Sequence, residues 1–368
     1  MVARFIFCGG GTGGHIFPGI AIALSIRKKA PESAILFVGT HRGLEETLLP
    51  RYGFEFSRVK SAGFKNLGLV KKFKALLILP AGILQSARLI KSFKPHVVVG
   101  LGGYSAFPMM IAAIFKRTYR VIQEQNAIPG LTNRILAPFA DRIFVSFETS
   151  TAHFPKNKTH FSGNPIREGL CTQRDTSSHR SVRNLLILGG SLGAHFINKL
   201  CIASLPVLLS GHPELKVHLQ TGKRDLMVAR KAFEAFGNRV RVSAFIDDIK
   251  SAYGWADMVV SRAGATTLAE LAACGIPAIL IPFPHAANDH QTENARFFSS
   301  NGGAILLKES EIEKGKFIQL LAGLLTNNEK VHNMSENMKT LGHPEAADTI
   351  AAALLSLAIP HTPNGDVK

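Results

Sequence analysis

Four times in this chain a short run rich in Val, Ile, Leu or Phe ends in a glycine-bearing turn and passes directly into a helix-forming stretch. Ala3–Cys8 runs into GGGTGGH, Val97–Gly100 into GLGGYSAFP, Asn184–Leu188 into GGSLGA, and Met258–Val260 into SRAGATTLAE. Apolar runs without polar alternation read as strands buried on both faces, and strands alternating with helices build parallel sheets. Further strands are predicted over Ala34–Val38, Arg120–Gln123, Arg142–Ser146, Lys216–Gln220, Val240–Ala244 and Ala278–Pro282. Helices are predicted to open near Pro18 and at Phe196–Leu200. The pattern restarts after Gly163–Arg167, so the expected architecture is α/β with two Rossmann-like, doubly wound parallel-sheet domains. The first covers 1–163 and the second 164–344; a helix over 345–358 is expected to cross back onto the first, and 359–368 to be a flexible tail. A length of 368 residues suits two domains of ~100–200 each. Such sheets bind ligands at the carboxyl ends of their strands, so a cleft between the paired domains is expected.

With 46% hydrophobic residues the chain is too apolar for disorder. Cys8, Cys171, Cys201 and Cys274 form no CxxC pair, which excludes a zinc ribbon or disulfide scaffold and fits a reducing compartment. The longest apolar runs, Ala75–Leu84 and Ala272–Phe283, fall short of the ~20 residues a membrane span needs. No secretory signal pattern opens the sequence, so a cytoplasmic chain is expected. The net charge of +17 is unevenly placed: residues 1–165 carry 22 Lys and Arg against 7 Asp and Glu, the remainder 21 against 19. Residues 56–123 hold twelve Lys and Arg and no acid. An excess this local points to an anionic partner, either nucleic acid or an anionic membrane surface.

Gly9, Gly11 and Gly14 satisfy G-x-G-x-x-G between a strand and a helix, the dinucleotide fingerprint. That reading needs an acid at the end of the next strand to hold a ribose. Here Phe37-Val38-Gly39-Thr40 ends without one, and no acid follows until Glu45. No Lys-Ser/Thr follows the glycines, which excludes a P-loop. Two readings remain: backbone N–H groups approaching an anion at a helix N-terminus, or a purely structural tight turn. His15 comes next, and imidazole titrates near neutrality, which suits a general base. GGSLGA also precedes a helix and adds the Ser191 hydroxyl. In SRAGATTLAE, Thr266 or Thr267 is expected to cap the helix. Glu270, one turn in, either accepts both hydroxyls of a ribose or completes a capping box. His285, Asp289, His290 and Glu293 lie close together without H-x-x-x-H or H-E-x-x-H spacing, so no metal site is expected.

Taken in order, GGGTGGHIFPG, GGYSAFP, EQNAIPGLTNR, GNPIR, GGSLGA, SRAGATTLAE and HQTENA resemble the MurG family, the UDP-N-acetylglucosamine transferases of peptidoglycan synthesis. The resemblance spans residues 1 to about 355 and implies a GT-B fold. It also implies inverting transfer of N-acetylglucosamine to the muramoyl sugar of undecaprenyl-pyrophosphoryl-N-acetylmuramoyl-pentapeptide. By the same resemblance, Thr12, Gly13 and Gly14 face the donor sugar and the acceptor pyrophosphate. Asn126 joins the donor contacts, with Glu124, Tyr104, Gly102 and Gly103 on the acceptor side. Arg167 and Ser191 meet the donor diphosphate and nucleotide, and the backbone of Ile246 meets uracil. Ala265, Thr266, Thr267, Leu268 and Ala269 form the helix N-terminus at the diphosphate, Glu270 holds the ribose, and Gln291 reads the sugar hydroxyls. Leu192 departs from the pattern, standing where the family usually has Gln.

In that reaction the acceptor's C4 hydroxyl attacks the anomeric carbon while UDP leaves. A base must take a proton, His15 or Glu124, and positive groups must receive the diphosphate. Arg167 and helix N-termini suffice for this, so no cofactor or metal is implied. The nearest alternative is the same fold and donor with a different lipid or sugar acceptor. A nucleic-acid-binding module fits poorly, because the basic region lacks interleaved exposed aromatics and an RNP-type motif. Lys71, Lys72 and Lys74 with Leu76, Leu77 and Leu79 are instead expected to dock on an anionic membrane, peripherally, at the cytoplasmic face of the bacterial inner membrane. The competing reading makes these leucines core and the lysines a solvated face.

Overall fold

The structure, a computed structural model, describes residues 2–10, 13–40, 45–61, 69–170, 182–190 and 192–358, the side chains of 69–77 excepted. Thr12, Ser191, the side chains of Lys71, Lys72, Lys74, Leu76 and Leu77, and the 359–368 tail therefore lie outside the described residues. Met1–Arg167 together with Pro344–Lys368 form one compact unit and Glu168–His343 the other. The GNPIR segment, Arg167 included, thus packs with the first unit.

Seven parallel strands make the first sheet: β1 (Arg4–Cys8), β2 (Ala34–Gly39), β3 (Glu55–Arg58), β4 (Val97–Gly100), β5 (Tyr119–Glu124), β6 (Arg142–Val145) and β7 (Thr159–Phe161). Their order is β3-β2-β1-β4-β5-β6-β7. Strand addition reverses between β1 and β4, which opens a crevice at their carboxyl ends. Helix α1 (Gly13–Lys29) covers one face, while α3 (Leu69–Phe93), α4 (Ala106–Phe115) and α5 (Leu131–Leu136) belong to the other side; α2 (Glu45–Leu48) is a single turn. α1 starts five residues before the predicted opening at Pro18. Pro18 removes only the N–H that would bond the Gly14 carbonyl in the first turn, so the helix runs through it. The central strands β1 and β4 are buried on both faces: in β1, Phe5 and Phe7 face α1, Ile6 and Cys8 face α4.

The second sheet holds β8 (Asn184–Leu188), β9 (Lys216–Gln220), β10 (Val240–Ser243), β11 (Met258–Ser261), β12 (Ala278–Leu280) and β13 (Ala304–Leu306), in the order β10-β9-β8-β11-β12-β13. Its helices are α6 (His195–Gly211), α7 (Leu226–Phe233), α8 (Ile249–Trp255), α9 (Ala265–Ala273), α10 (His290–Ser300), α11 (Lys314–Thr326) and α12 (Asn328–Thr340). The core between α6, α11 and the sheet is mostly aliphatic, built on Ile187, Ile197, Leu205, Leu219, Leu321 and Leu324 with Phe317 of α11. Cys8 and Cys201 are free thiols whose burial raises their pKa and keeps them unreactive.

The last helix, α13 (Ala346–Ala358), returns to the first unit. Ile350, Ala351 and Leu354 are fully buried in the core that contains Ile20 and Ile22 of α1. At its start the Ser25 hydroxyl donates to Asp348 Oδ1 at 2.5 Å, and Lys29 lies 3.5 Å from the same oxygen. The Ser25 bond, more than the Lys29 charge, holds the Asp348 carboxyl below its usual range.

Candidate active site

In the first unit the turns after β1, β4 and β5 converge on His15. Gly102 has φ +92°, and a Cβ there would lie 3.3 Å from His15 Cε1, so the second glycine turn presses its backbone against the imidazole. His15 Nδ1 lies 2.7 Å from Oε1 of Gln125, a residue just past the end of β5 and 1% exposed. Glu124, the last residue of β5, is equally buried. Its Oε1 accepts from the Asn126 backbone N–H (3.0 Å) and Nδ2 (3.2 Å), and its Oε2 from the Gly130 N–H (3.0 Å) and Asn133 Nδ2 (2.9 Å). Four donors on one carboxylate tie the EQNAIPG segment to the sheet end, an arrangement suited to holding a loop rather than accepting a proton. Ser150 fixes the same segment by donating to the Asn126 carbonyl at 2.9 Å. Tyr104 is 38% exposed beside this crevice, and its carbonyl accepts from the Ser61 hydroxyl at 2.8 Å. The Arg167 guanidinium stacks over the Phe17 ring of α1 at 4.7 Å.

In the second unit the loop after β8 packs tightly against the turn after β9. A Cβ on Gly193, at φ +81°, would lie 2.1 Å from the Thr221 carbonyl oxygen, so only glycine fits. Leu192 is 91% exposed at the tip. His195 opens α6, and its Nδ1 lies 3.0 Å from both carboxylate oxygens of Asp225. Asn198 Nδ2 donates to Asp225 Oδ2 at 2.7 Å. Burial opposes ionisation of Asp225, but the bonds from Asn198 and His195 and the charges of His195 and Arg224 outweigh it and hold its carboxyl below the usual range.

Helix α9 is capped differently from the sequence expectation. Its N-cap is Gly264, with no side-chain capping bond, and Thr266 and Thr267 sit inside the first turn. Glu270 is the sixth helical residue, too far along to close a capping box with the N-cap, so that reading falls. It is 3% exposed and accepts a 2.9 Å hydrogen bond on Oε2 from the Tyr253 hydroxyl of α8. Gln291, in the first turn of α10, accepts the Phe283 N–H on Oε1 at 2.9 Å, which turns its amide N–H groups outward as donors. Ile246 is buried beside exposed Phe245. Of the acidic and imidazole side chains considered for a metal, Asp289 accepts from Thr292, His290 Nδ1 faces the Ala287 carbonyl and Glu293 pairs with Arg296. Among the described residues no three potential metal ligands gather.

Gln125, Tyr253, His195 and Asp225 were not singled out from sequence. Gln125 lies inside EQN and His195 directly follows GGSLGA, so motif proximity was the available signal for these two. Tyr253 and Asp225 carried none.

Residues 5–145 match the glycosyltransferase family 28 N-terminal domain and residues 184–350 its C-terminal domain. A UDP-N-acetylglucosamine–N-acetylmuramyl-(pentapeptide) pyrophosphoryl-undecaprenol N-acetylglucosamine transferase of Citrifermentans bemidjiense is 39% identical over 355 residues, covering 96% of this chain and 99% of that one. The protein of the same description from Myxococcus xanthus is 41% identical over 358 residues, covering 97% and 93%. The crystal structure of Acinetobacter baumannii MurG superposes with a TM-score of 0.77 at 28% identity, covering 96% of this chain and 99% of that one. A putative UDP-N-acetylglucosamine 2-epimerase from Listeria monocytogenes, at 14% identity and a TM-score of 0.70, shares the fold. The sheet order repeated in both units and the near full-length identity agree: this chain is a GT-B glycosyltransferase of family 28 and belongs to the MurG family.

Proposed function

We propose that this enzyme moves N-acetylglucosamine from UDP-N-acetylglucosamine to the C4 hydroxyl of the muramoyl sugar in undecaprenyl-pyrophosphoryl-N-acetylmuramoyl-pentapeptide, with inversion at the anomeric carbon. The observation that carries the reading is Glu270, a carboxylate buried one turn inside α9 and oriented by Tyr253, in the unit that matches the family's C-terminal domain. A fixed carboxylate at that depth suits a ribose diol, while the α9 N-terminus turns its dipole and backbone N–H groups toward the diphosphate. Gln291 presents amide donors to the sugar hydroxyls, and Ile246 lines the base. On the acceptor side, His15 accepts the C4 hydroxyl proton, with Tyr104 and the Gly102–Gly103 turn beside the pyrophosphate. Glu124, saturated by four donors, anchors Asn126 and its loop.

The acceptor is held in a bilayer by its undecaprenyl chain, so the enzyme works at a membrane surface. No helix among the described residues is long and apolar enough to cross one. The first unit instead exposes Leu84, Phe115, Leu131, Ile135 and Phe139, among basic residues that include Arg88, Lys116, Arg117 and Arg134. Exposed apolar side chains ringed by cations suit peripheral docking on anionic lipid, at the cytoplasmic face where the nucleotide sugar is available. Purified enzyme given UDP-N-acetylglucosamine and a short-chain lipid-pyrophosphoryl-muramoyl-pentapeptide should release UDP and form the disaccharide lipid. Release of UDP at the same rate without the muramoyl lipid would defeat the reading.

A further inference from the structure

We infer that Gln125 is a positioning residue: it holds His15 as the tautomer protonated on Nδ1 and so leaves the Nε2 lone pair for the acceptor hydroxyl. The inference rests on the reading of His15 as the base.

The chemistry of the surrounding atoms assigns the amide's orientation. Gln125 Nε2 lies 2.9 Å from the Leu101 carbonyl oxygen and 3.1 Å from the Gln123 carbonyl oxygen. Both are acceptors only, and the Gln123 side-chain oxygen crowds the same nitrogen. Turning the amide over would set its oxygen against three oxygens and lose their hydrogen bonds, in a pocket where Gln125 is 1% exposed. Oε1 therefore faces His15 Nδ1, at 2.7 Å. An amide oxygen can only accept, so the nitrogen opposite it must carry hydrogen.

The ring has little freedom to escape this assignment. The Gly102–Gly103 turn runs alongside it: a Cβ on Gly102 would lie 3.3 Å from Cε1 and one on Gly103 3.9 Å from Cδ2. The three strands that deliver these groups are adjacent in the sheet: β1 leads to His15, β4 to Leu101 and the glycine turn, and β5 to Gln123 and Gln125. The relay is thus built from the sheet's switch point and not from a mobile loop tip. Because the partner is an amide and not a carboxylate, it orients the ring without adding a charge.

With Nδ1 protonated, the transfer balances in one step. The muramoyl C4 oxygen bonds to the anomeric carbon as the bond from that carbon to the UDP oxygen breaks, its electron pair leaving with the diphosphate. The C4 hydroxyl proton passes to His15 Nε2, and the imidazolium returns it to solvent. The opposite tautomer would point an N–H at the hydroxyl, and Nδ1 would have no route to it.

The ring nitrogens of His15 report this directly. In full-length protein with 15N-labelled histidine, a long-range proton–nitrogen correlation spectrum is assigned by the peaks that vanish in His15→Ala. At a pH where the ring is neutral, the wild type should show protonated Nδ1 and bare Nε2. Gln125→Met, similar in size but without the oxygen, should release the ring to the Nε2–H form favoured by free imidazole. Its kcat should fall about a hundredfold, with the donor KM unchanged. Gln125→Glu should keep the Nδ1–H signature only as the neutral acid, whose O–H replaces the amide N–H toward the Leu101 and Gln123 carbonyls while its other oxygen faces His15. A bare Nδ1 in the wild-type spectrum overturns the inference without any variant having to fold. Protonated Nδ1 together with a wild-type kcat in His15→Ala would overturn the base reading, and the catalytic meaning of the relay with it, while glycosyl transfer itself stood.

Discussion

The Tyr253 hydroxyl donates a 2.9 Å hydrogen bond to Glu270 Oε2, and the two side chains are 1% and 3% exposed. A tyrosine on α8 thereby sets the rotation of a carboxylate on α9. Glu270→Ala should raise the KM for UDP-N-acetylglucosamine by at least tenfold, since each charge-assisted bond to ribose is worth ~1.5–3 kcal/mol. Preference for ribose over 2′-deoxyribose donors should disappear with it. Tyr253→Phe should cost ~1–3 kcal/mol of stability, by leaving a buried acceptor short of a donor, with a smaller change in KM. An unaltered donor KM in folded Glu270→Ala would make Glu270 a structural group only.

His15→Ala should lower kcat by ~10²–10⁴ with donor affinity nearly intact, the signature of a group used in the transition state. A parallel loss of UDP binding, read by product inhibition, would instead mark His15 as a donor contact.

Asp225 makes the second unit sensitive to acid. Its carboxyl titrates below the usual range in the folded state, so its stabilising effect is complete above the ordinary carboxylate pKa of ~3.9 and is lost as pH falls through the lower, folded value. Urea unfolding should therefore show Asp225→Asn less stable than wild type at neutral pH and the two converging in strong acid. A gap that persists unchanged at low pH would assign the loss to packing and not to the charge.

Docking of α13 can be read separately. Leu354 is fully buried beside α1, and Leu354→Ala should cost ~2–5 kcal/mol. Because α13 joins the first unit, the loss should appear in the transition of that unit in calorimetry. An effect confined to the second unit would contradict the arrangement.

The membrane surface is tested by Leu131→Ser combined with Phe139→Ser, two residues that are 65% and 51% exposed. The pair should weaken co-sedimentation with anionic vesicles, and salt should weaken it further in both proteins. Activity on a soluble short-chain acceptor should persist. Equal vesicle binding by both proteins would remove these residues from the docking surface.

The central strands were legible because their apolar runs stop at or near glycine turns, and β4, β8 and β9 have the predicted limits. β3, β7 and β13 all lie at sheet edges and are three or four residues long; EFSR and THF hold no apolar run, and β13, unlike β12 with the same AIL, is not extended by further buried residues such as Ile281 and Pro282. The opening of α1 was misplaced because Pro18 looked like a start, although glycines upstream already adopt the helix. The glycine loops, His15 and Glu270 were readable as motifs, but their partners were not. Gln125 is 110 residues from His15, Asp225 is 30 from His195 and Tyr253 is 17 from Glu270. Such pairs exist only through strand order, which no local spacing encodes. The saturation of Glu124 by its own loop was hidden for the opposite reason: its donors are near in sequence, but only folding of the loop turns them onto one carboxylate.

The central claim is a single inverting transfer to the muramoyl C4 oxygen, and its product states the answer. UDP-N-acetylglucosamine labelled with 13C at the anomeric carbon, incubated with the enzyme and the short-chain acceptor, should yield that carbon in a β-glycosidic bond to the muramoyl C4 oxygen, seen as a coupling across the new linkage by NMR. Label recovered as an α-linkage, as free sugar, or as a donor epimerised at C2 would contradict it.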